Sequence, residues 1–216
     1  MTTQASPATE EYLQAVYTLA DEGGQVIGAR LAEFLRISPA AVSEMVHRLE
    51  RDGLLRLDER KEVRLTDRGF SAASRVVRRH RLAERMLVDL LGYEWWKTHE
   101  EAERIEHAMS EEMEERLVRV LGDPQTCPHG NPMPGTTPRP TRPLERLAVG
   151  ERATVERIPD QFEHEPGFLE YLDTQSVRPG VTLEMIEQRP GLLRVAVNGT
   201  ARSIRPDCGQ KVWMAV

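Results

Sequence analysis

Residues 99–107 of the 216-residue chain read HEEAERIEH, and their types and spacing could hold a metal ion. His99, Glu103, Glu106 and His107 stand at i, i+4, i+7 and i+8, which places them on one stripe of an α-helix. Carboxylates and imidazoles crowded along one stripe repel each other or trap protons unless a cation lies between them. His80 and Glu84 form a second i, i+4 pair on the preceding helix. A short link joins the two helices and runs them antiparallel, so the pairs can converge. Oxygen-rich sites with one or two imidazoles suit Mn²⁺ and Fe²⁺, whereas thiolates favour zinc or copper, and the stripe contains no sulfur. The zinc-protease spacing HExxH is absent, because Glu106 directly precedes His107. A plainer alternative is a solvated acidic face with incidental histidines.

Helices must carry these groups, and the sequence marks where they begin and end. Residues 9–22 place Tyr12, Leu13, Val16, Tyr17 and Leu19 at helical spacing before Gly23-Gly24. A short helix follows from about Gly28 to Leu35. Ser38, a good N-cap, and Pro39, suited to the first helical position, start a third helix that ends at Gly53. LLRLDERKEVRLT then alternates around a charged turn, as a β-hairpin does. Thr66 caps a long helix from about Asp67 to Leu91, and another is expected from roughly Trp95 to Leu121. Residues 122–146 hold seven prolines and read as a connector. Beyond Leu147, short apolar runs separated by turns predict a small β-barrel, interrupted by one helix at about Gly167 to Gln175.

A short helix, a tight break, a Ser-Pro-started helix and a charged hairpin follow the order of a winged helix-turn-helix. The third helix begins with Ser38, Pro39, Ala40 and Ala41 and exposes Ser43, Glu44 and His47. Small side chains there permit close approach to thymine methyls and phosphates. Arg48 and Arg51 at its far end, with Arg60 and Lys61 at the hairpin tip, are placed for phosphate contacts. The formal charge of −6 argues against nucleic acid as a partner, but it is an average. Residues 25–80 carry twelve Lys/Arg against eight acids, and residues 84–123 carry twelve acids against five basic residues. A basic module followed by an acidic one suggests phosphate binding in one and cation binding in the other.

No apolar stretch approaches the ~20 residues that cross a bilayer, and the first residues lack a signal-peptide core. Cys127 and Cys208 cannot form a disulfide framework, so a reducing cytoplasm is the expected compartment.

The strings EEYLQAVYTL, SPAAVSEMVHRLERDGLL, RHRLAERMLVDLLG, AERIEHAMSEEMEERL and GNPMPG resemble the diphtheria-toxin-repressor family of iron and manganese regulators over nearly the whole chain. The resemblance implies a mainly α chain. Its parts would be a winged helix-turn-helix at 1–74, a helical metal-binding and dimerisation domain at 75–140 and an SH3-like, FeoA-like β domain at 141–216. It implies a homodimer that binds double-stranded operator DNA, away from any membrane, when metal is bound at two sites per chain. The primary ligands carried over are Glu11, Glu103, Glu106 and His107. Iron-sensing members carry Met and Cys where this chain has Glu11 and Glu103, so Mn(II) is expected ahead of Fe(II). The ancillary site carried over takes His80 and Glu84, with Cys127, His129, Glu165 and His99 as further candidates. Two rivals of other kinds are a carboxylate-bridged metallohydrolase, for which no nucleophile motif appears, and a winged-helix regulator of an organic ligand.

Overall fold

A computed structural model describes residues 6–216, which form two compact units. One unit comprises residues 6–80 together with Arg104–Ser110, and the other comprises Arg81–Glu103 together with Glu111–Val216. No helix among the described residues is long and apolar enough to cross a membrane.

In the first unit, α1 (Pro7–Asp21) starts at Ser6, whose hydroxyl accepts the Thr9 N–H at 3.4 Å. Helix α2 (Gly28–Leu35) ends at Arg36, which adopts φ 54° to turn the chain. Helix α3 (Pro39–Arg51) opens at Ser38, whose Oγ accepts the Ala41 N–H at 3.2 Å. Pro39 fills the first turn, where its missing N–H has no intrahelical acceptor to lose. Strands β1 (Leu55–Leu57) and β2 (Val63–Leu65) pair antiparallel as a hairpin. Thr66 then accepts the Gly69 N–H at 3.1 Å and starts α4 (Asp67–Arg85). Leu13, Val16, Leu31, Val42, Leu49 and Leu55 are buried together. Each such side chain contributes roughly 1.5–3 kcal/mol when fully removed from water.

Two helices differ from the sequence expectation. Helix α4 passes at Met86 into a π-helical turn that runs to Leu90, and Gly92 at φ 71° stops it. The helix expected from Trp95 to Leu121 is two helices, α5 (Thr98–Glu106) and α6 (Glu111–Leu121), preceded by a 3₁₀ turn at Trp95–Lys97. The break at 107–110 has a local cause. Ser110 is a favourable N-cap residue, and Glu111, Glu112 and Glu114 crowd the first turn of α6, where the helix dipole favours acids.

The second unit contains a six-stranded antiparallel sheet in the order β3-β8-β4-β5-β6-β7. Its strands are β3 (Thr141–Pro143), β4 (Arg152–Arg157), β5 (Thr182–Arg189), β6 (Leu192–Val197), β7 (Thr200–Ile204) and β8 (Trp213–Ala215). Helices α7 (Asp160–Glu163) and α8 (Phe168–Thr174) follow β4, and α9 (Cys208–Lys211) precedes β8. Leu193, Val195 and Val197 alternate inward along β6, joining Leu144, Ile158 and Phe168. Trp95 belongs to this core, and its indole N–H donates to Asp173 Oδ1 at 2.7 Å. A helical N-terminal region followed by a six-stranded sheet is therefore only loosely described as mainly α.

Candidate metal centre

In the second unit, four segments bring donors into one buried cluster. Glu84 lies on α4, His99 on α5, Cys127 and His129 in the connector, and Glu163 at the end of α7. His129 Nδ1 stands 3.1 Å from Glu84 Oε1 and 3.2 Å from Glu163 Oε1. His99 Nδ1 stands 3.2 Å from Glu163 Oε2 and 3.7 Å from Glu84 Oε1. Cys127 Sγ lies 3.9 Å from His129 Nδ1. All five residues are buried.

The surroundings orient these donors as ligands are oriented. His129 Nε2 is 2.9 Å from the Trp95 carbonyl, so an Nε2–H donated there turns Nδ1 toward the carboxylates. Asn131 Nδ2 donates to Glu163 Oε1 at 2.7 Å and to the Ile158 carbonyl at 2.8 Å. Arg81 donates to Asp160 Oδ2 at 2.6 Å, anchoring the first residue of α7. Arg85 Nε donates to the Thr126 carbonyl at 2.8 Å, and its Nη2 to the Cys127 carbonyl at 3.2 Å.

Burial pulls the His129 pKa down, but the Glu163 and Glu84 charges outweigh it and hold the ring well above its ordinary value. Burial likewise lowers His99, whereas hydrogen bonds with Glu103, Glu163 and Glu84 raise it well above. Burial and the Glu84 charge push the Cys127 thiol to about 12. Protons on the imidazoles thus balance the buried carboxylates. A cation would displace them, because metal binds neutral imidazole. Asn131 Oδ1 is buried without a hydrogen bond, on the side chain whose Nδ2 meets the Glu163 carboxylate. Two carboxylates, two imidazoles and a thiol fit a first-row divalent metal.

Asn131→Ala should weaken metal binding roughly 10–100-fold, the usual cost of losing an outer-shell partner. It should also cost about 1–3 kcal/mol of stability. Competition titration against a metal indicator and thermal melting measure the two effects; unchanged affinity would remove Asn131 from the site.

The first unit holds a separate set. Glu106 presents Oε2 to His80 Nδ1 at 2.5 Å and Oε1 to His107 Nε2 at 3.4 Å. His107 Nδ1 also meets Glu10 Oε2 at 2.7 Å. Glu11, expected to supply the first-helix carboxylate, is exposed, and Glu10 occupies that position instead. Consecutive helical residues point about 100° apart, so the two cannot face one neighbour equally.

Glu103 pairs with His99 Nε2 at 3.4 Å and His164 Nδ1 at 3.9 Å. Glu165 turns to Lys211 Nζ at 2.5 Å, and Glu163 is the sheet unit's carboxylate in the buried cluster. Glu10, Asn131, Glu163 and His164 were not singled out from sequence. The adjacency of Glu163 and His164 in FEHEPG was the available sign.

The expected nucleic-acid face lies in the first unit. Ser38, Pro39, Ala40, Ala41, Ser43, Glu44, Arg48, Arg51, Arg60 and Lys61 are all exposed. Ser38 is engaged as the cap of α3, and Arg48 Nη2 donates to Thr9 Oγ1 at 3.3 Å. Asp58 Oδ1 accepts the Arg60 and Glu62 N–H groups, both at 2.9 Å, and fixes the hairpin tip.

Residues 4–63 match the N-terminal DNA-binding domain of iron-dependent repressors, and residues 66–135 match their metal-binding and dimerisation domain. Residues 142–216 match the FeoA domain. The chain is 51% identical over 127 residues to the iron-dependent repressor IdeR of Mycobacterium tuberculosis; the match covers 59% of this chain and 55% of that protein. It therefore spans little more than half the length of that relative. The diphtheria toxin repressor of Corynebacterium diphtheriae is 36% identical over 210 residues, covering 88% of this chain and 89% of that one. Among solved structures, a manganese-dependent transcriptional repressor in complex with manganese superposes with TM-score 0.85 at 35% identity, covering 96% of this chain and 99% of the other. ScaR with bound Zn²⁺ superposes with TM-score 0.79 at 30% identity, covering 95% and 98%.

Proposed function

The chain belongs to the iron-dependent, diphtheria-toxin-repressor family, and on that premise we propose that it is a metal-dependent transcriptional repressor of metal-homeostasis genes. Loading by Mn(II) lets a homodimer bind double-stranded operator DNA in the cytoplasm. The observation that carries this reading is the buried convergence of Glu84, His99, Cys127, His129 and Glu163, in a chain whose N-terminal part matches a DNA-binding domain.

In this reading Glu106, His107 and a first-helix carboxylate hold one ion. The buried cluster holds a second, with the SH3-like sheet unit contributing Glu163. When bound, the ion supplies positive charge among groups that otherwise need protons. This chain's residues do the rest: Asn131 and the Trp95 carbonyl fix ligand orientation, and α3 presents its small exposed face to the major groove. Metal shifts the equilibrium only as far as it binds the DNA-competent arrangement more tightly than the free one. Leu90, Leu91 and Tyr93, exposed beyond α4, are candidate dimer contacts. The metallohydrolase alternative is set aside, because the matched domains are those of a DNA-binding repressor.

Fe(II) is the second reading, favoured by the 51% identity to an iron-dependent repressor. Manganese stands first because Glu10 or Glu11 offers oxygen, beside Glu106 and His107, where iron-sensing members carry sulfur. The test is binding to genomic fragments selected by the chain itself, with chelator, Mn²⁺ or anaerobic Fe²⁺. Metal should tighten binding about 10- to 100-fold, within the usual range of coupling energies. Equal affinity in chelator would end the proposal, and a larger gain with Fe²⁺ would replace manganese by iron.

A further inference from the structure

Glu163 and His164 are consecutive residues at the end of α7, yet they serve different neighbours. Glu163 joins the buried cluster, whereas His164, partly exposed, meets the other side of His99. His99 thus has two faces. Its Nδ1 looks toward Glu163 and Glu84, and its Nε2 lies 3.0 Å from His164 Nδ1 and 3.4 Å from Glu103 Oε1. His164 Nδ1 and Glu103 Oε1 are 3.9 Å apart, closing a triangle of donors. The point equidistant from these three atoms lies about 2.0 Å from each, the length of ordinary metal–imidazole and metal–carboxylate bonds of about 2.0–2.2 Å. The two rings stand edge to face at 89°, with centroids 4.3 Å apart. Glu103 is exposed and His164 partly so, which leaves solvent to complete the coordination.

We propose that His99 Nε2, Glu103 and His164 form an outer metal site, distinct from the buried cluster, that takes a borderline divalent cation such as Zn²⁺ or Co²⁺. Two imidazoles and one carboxylate with open positions favour such ions over manganese, following the rise in nitrogen affinity along the first row. A neutral imidazole offers one lone pair, so an ion drawing on His99 Nε2 withdraws that ring from the inner cluster. The inner cluster still keeps Glu84, Cys127, His129 and Glu163. The outer site goes beyond the repressor function and does not depend on DNA binding.

Co²⁺ titration of the full chain, with equilibrium dialysis to count bound ions, tests the outer site. The near-ultraviolet cobalt–thiolate band reports Cys127 independently. His164→Ala and the more conservative His164→Gln should each bind one equivalent fewer than the native chain, with the thiolate band kept. A thermal melt confirms that each variant is folded, and His164 is exposed enough for at least one replacement to be accommodated. An unchanged count in either folded variant would show that His99 and His164 share only a hydrogen bond. Loss of the thiolate band together with the equivalent would show a single merged site, and either result overturns the proposal. DNA affinity enters none of these measurements, so the repressor reading stands or falls separately.

Discussion

His129→Ala should abolish loading of the buried cluster, weakening binding there by more than the roughly 10–100-fold that an outer-shell change costs. The ring is fully buried, and its Nδ1 is shared between Glu84 and Glu163 at 3.1 and 3.2 Å. Removing it leaves two carboxylates facing each other without the imidazole that balances their charge, and leaves the Trp95 carbonyl with the Thr98 hydroxyl at 3.0 Å in place of two side-chain partners. Breaking a buried ionic group by deleting one partner costs about 3–5 kcal/mol, so the metal-free protein should also melt earlier. Metal titration and calorimetry read the two effects separately. A variant that keeps its full metal count at native affinity would exclude His129 as a ligand.

Gly130→Ala should be nearly as damaging, through the backbone alone. Gly130 adopts φ 88°, and an added Cβ would lie 2.0 Å from the Glu156 carbonyl oxygen and 2.8 Å from Arg157 Cα. Both are backbone atoms of β4, so the connector would have to lift away from the strand, carrying His129 and Asn131 with it. The Ile158 N–H bond to the His129 carbonyl, 2.9 Å long, holds the same contact. The left-handed conformation alone costs an alanine roughly 1–2 kcal/mol. Gly135→Ala is the control, since Gly135 has φ 90° with nothing within 4 Å of its Cβ position. Gly130→Ala should lose both stability and metal affinity, and Gly135→Ala a little stability only. Equal behaviour of the two would show that the close approach to β4 does not matter.

The sequence carried the N-terminal unit in detail because its cues are local. Ser38-Pro39 starts α3 in the structure as its cap chemistry requires, and the Asp58 turn closes the hairpin read from alternation. The His/Glu spacings on α4 and α5 named side chains that the structure gathers into groups able to hold an ion, although not the partners those groups draw from elsewhere in the chain. Helical periodicity gives the face to within a turn, and Glu10 and Glu11 differ by less than that. The break at 107–110 was hidden because both sides share one apolar pattern, while the Ser110-Glu111-Glu112 start signal was subtle. Glu163 was unreadable for another reason. A helix of four residues has no periodicity, and whether Glu163 or Glu165 turns inward depends on Asp160 meeting Arg81 and Glu165 meeting Lys211. Trp95, read from sequence as a helix start, lies in the core of the sheet unit with its indole N–H on Asp173, a long-range partner that local spacing does not announce.

The donors of the buried cluster run from Glu84 to Glu163 along the chain. An ion held by them would act as a removable cross-link, tying together segments far apart in sequence. Cys127 and Cys208 are both free thiols, so no disulfide does this. A cross-link of this kind has a strength set by supply. Above the dissociation constant, each tenfold rise in free metal adds about 1.4 kcal/mol to the folded state. Resistance to proteolysis would then track the cell's metal pool, and starvation would loosen the protein as well as release it from DNA.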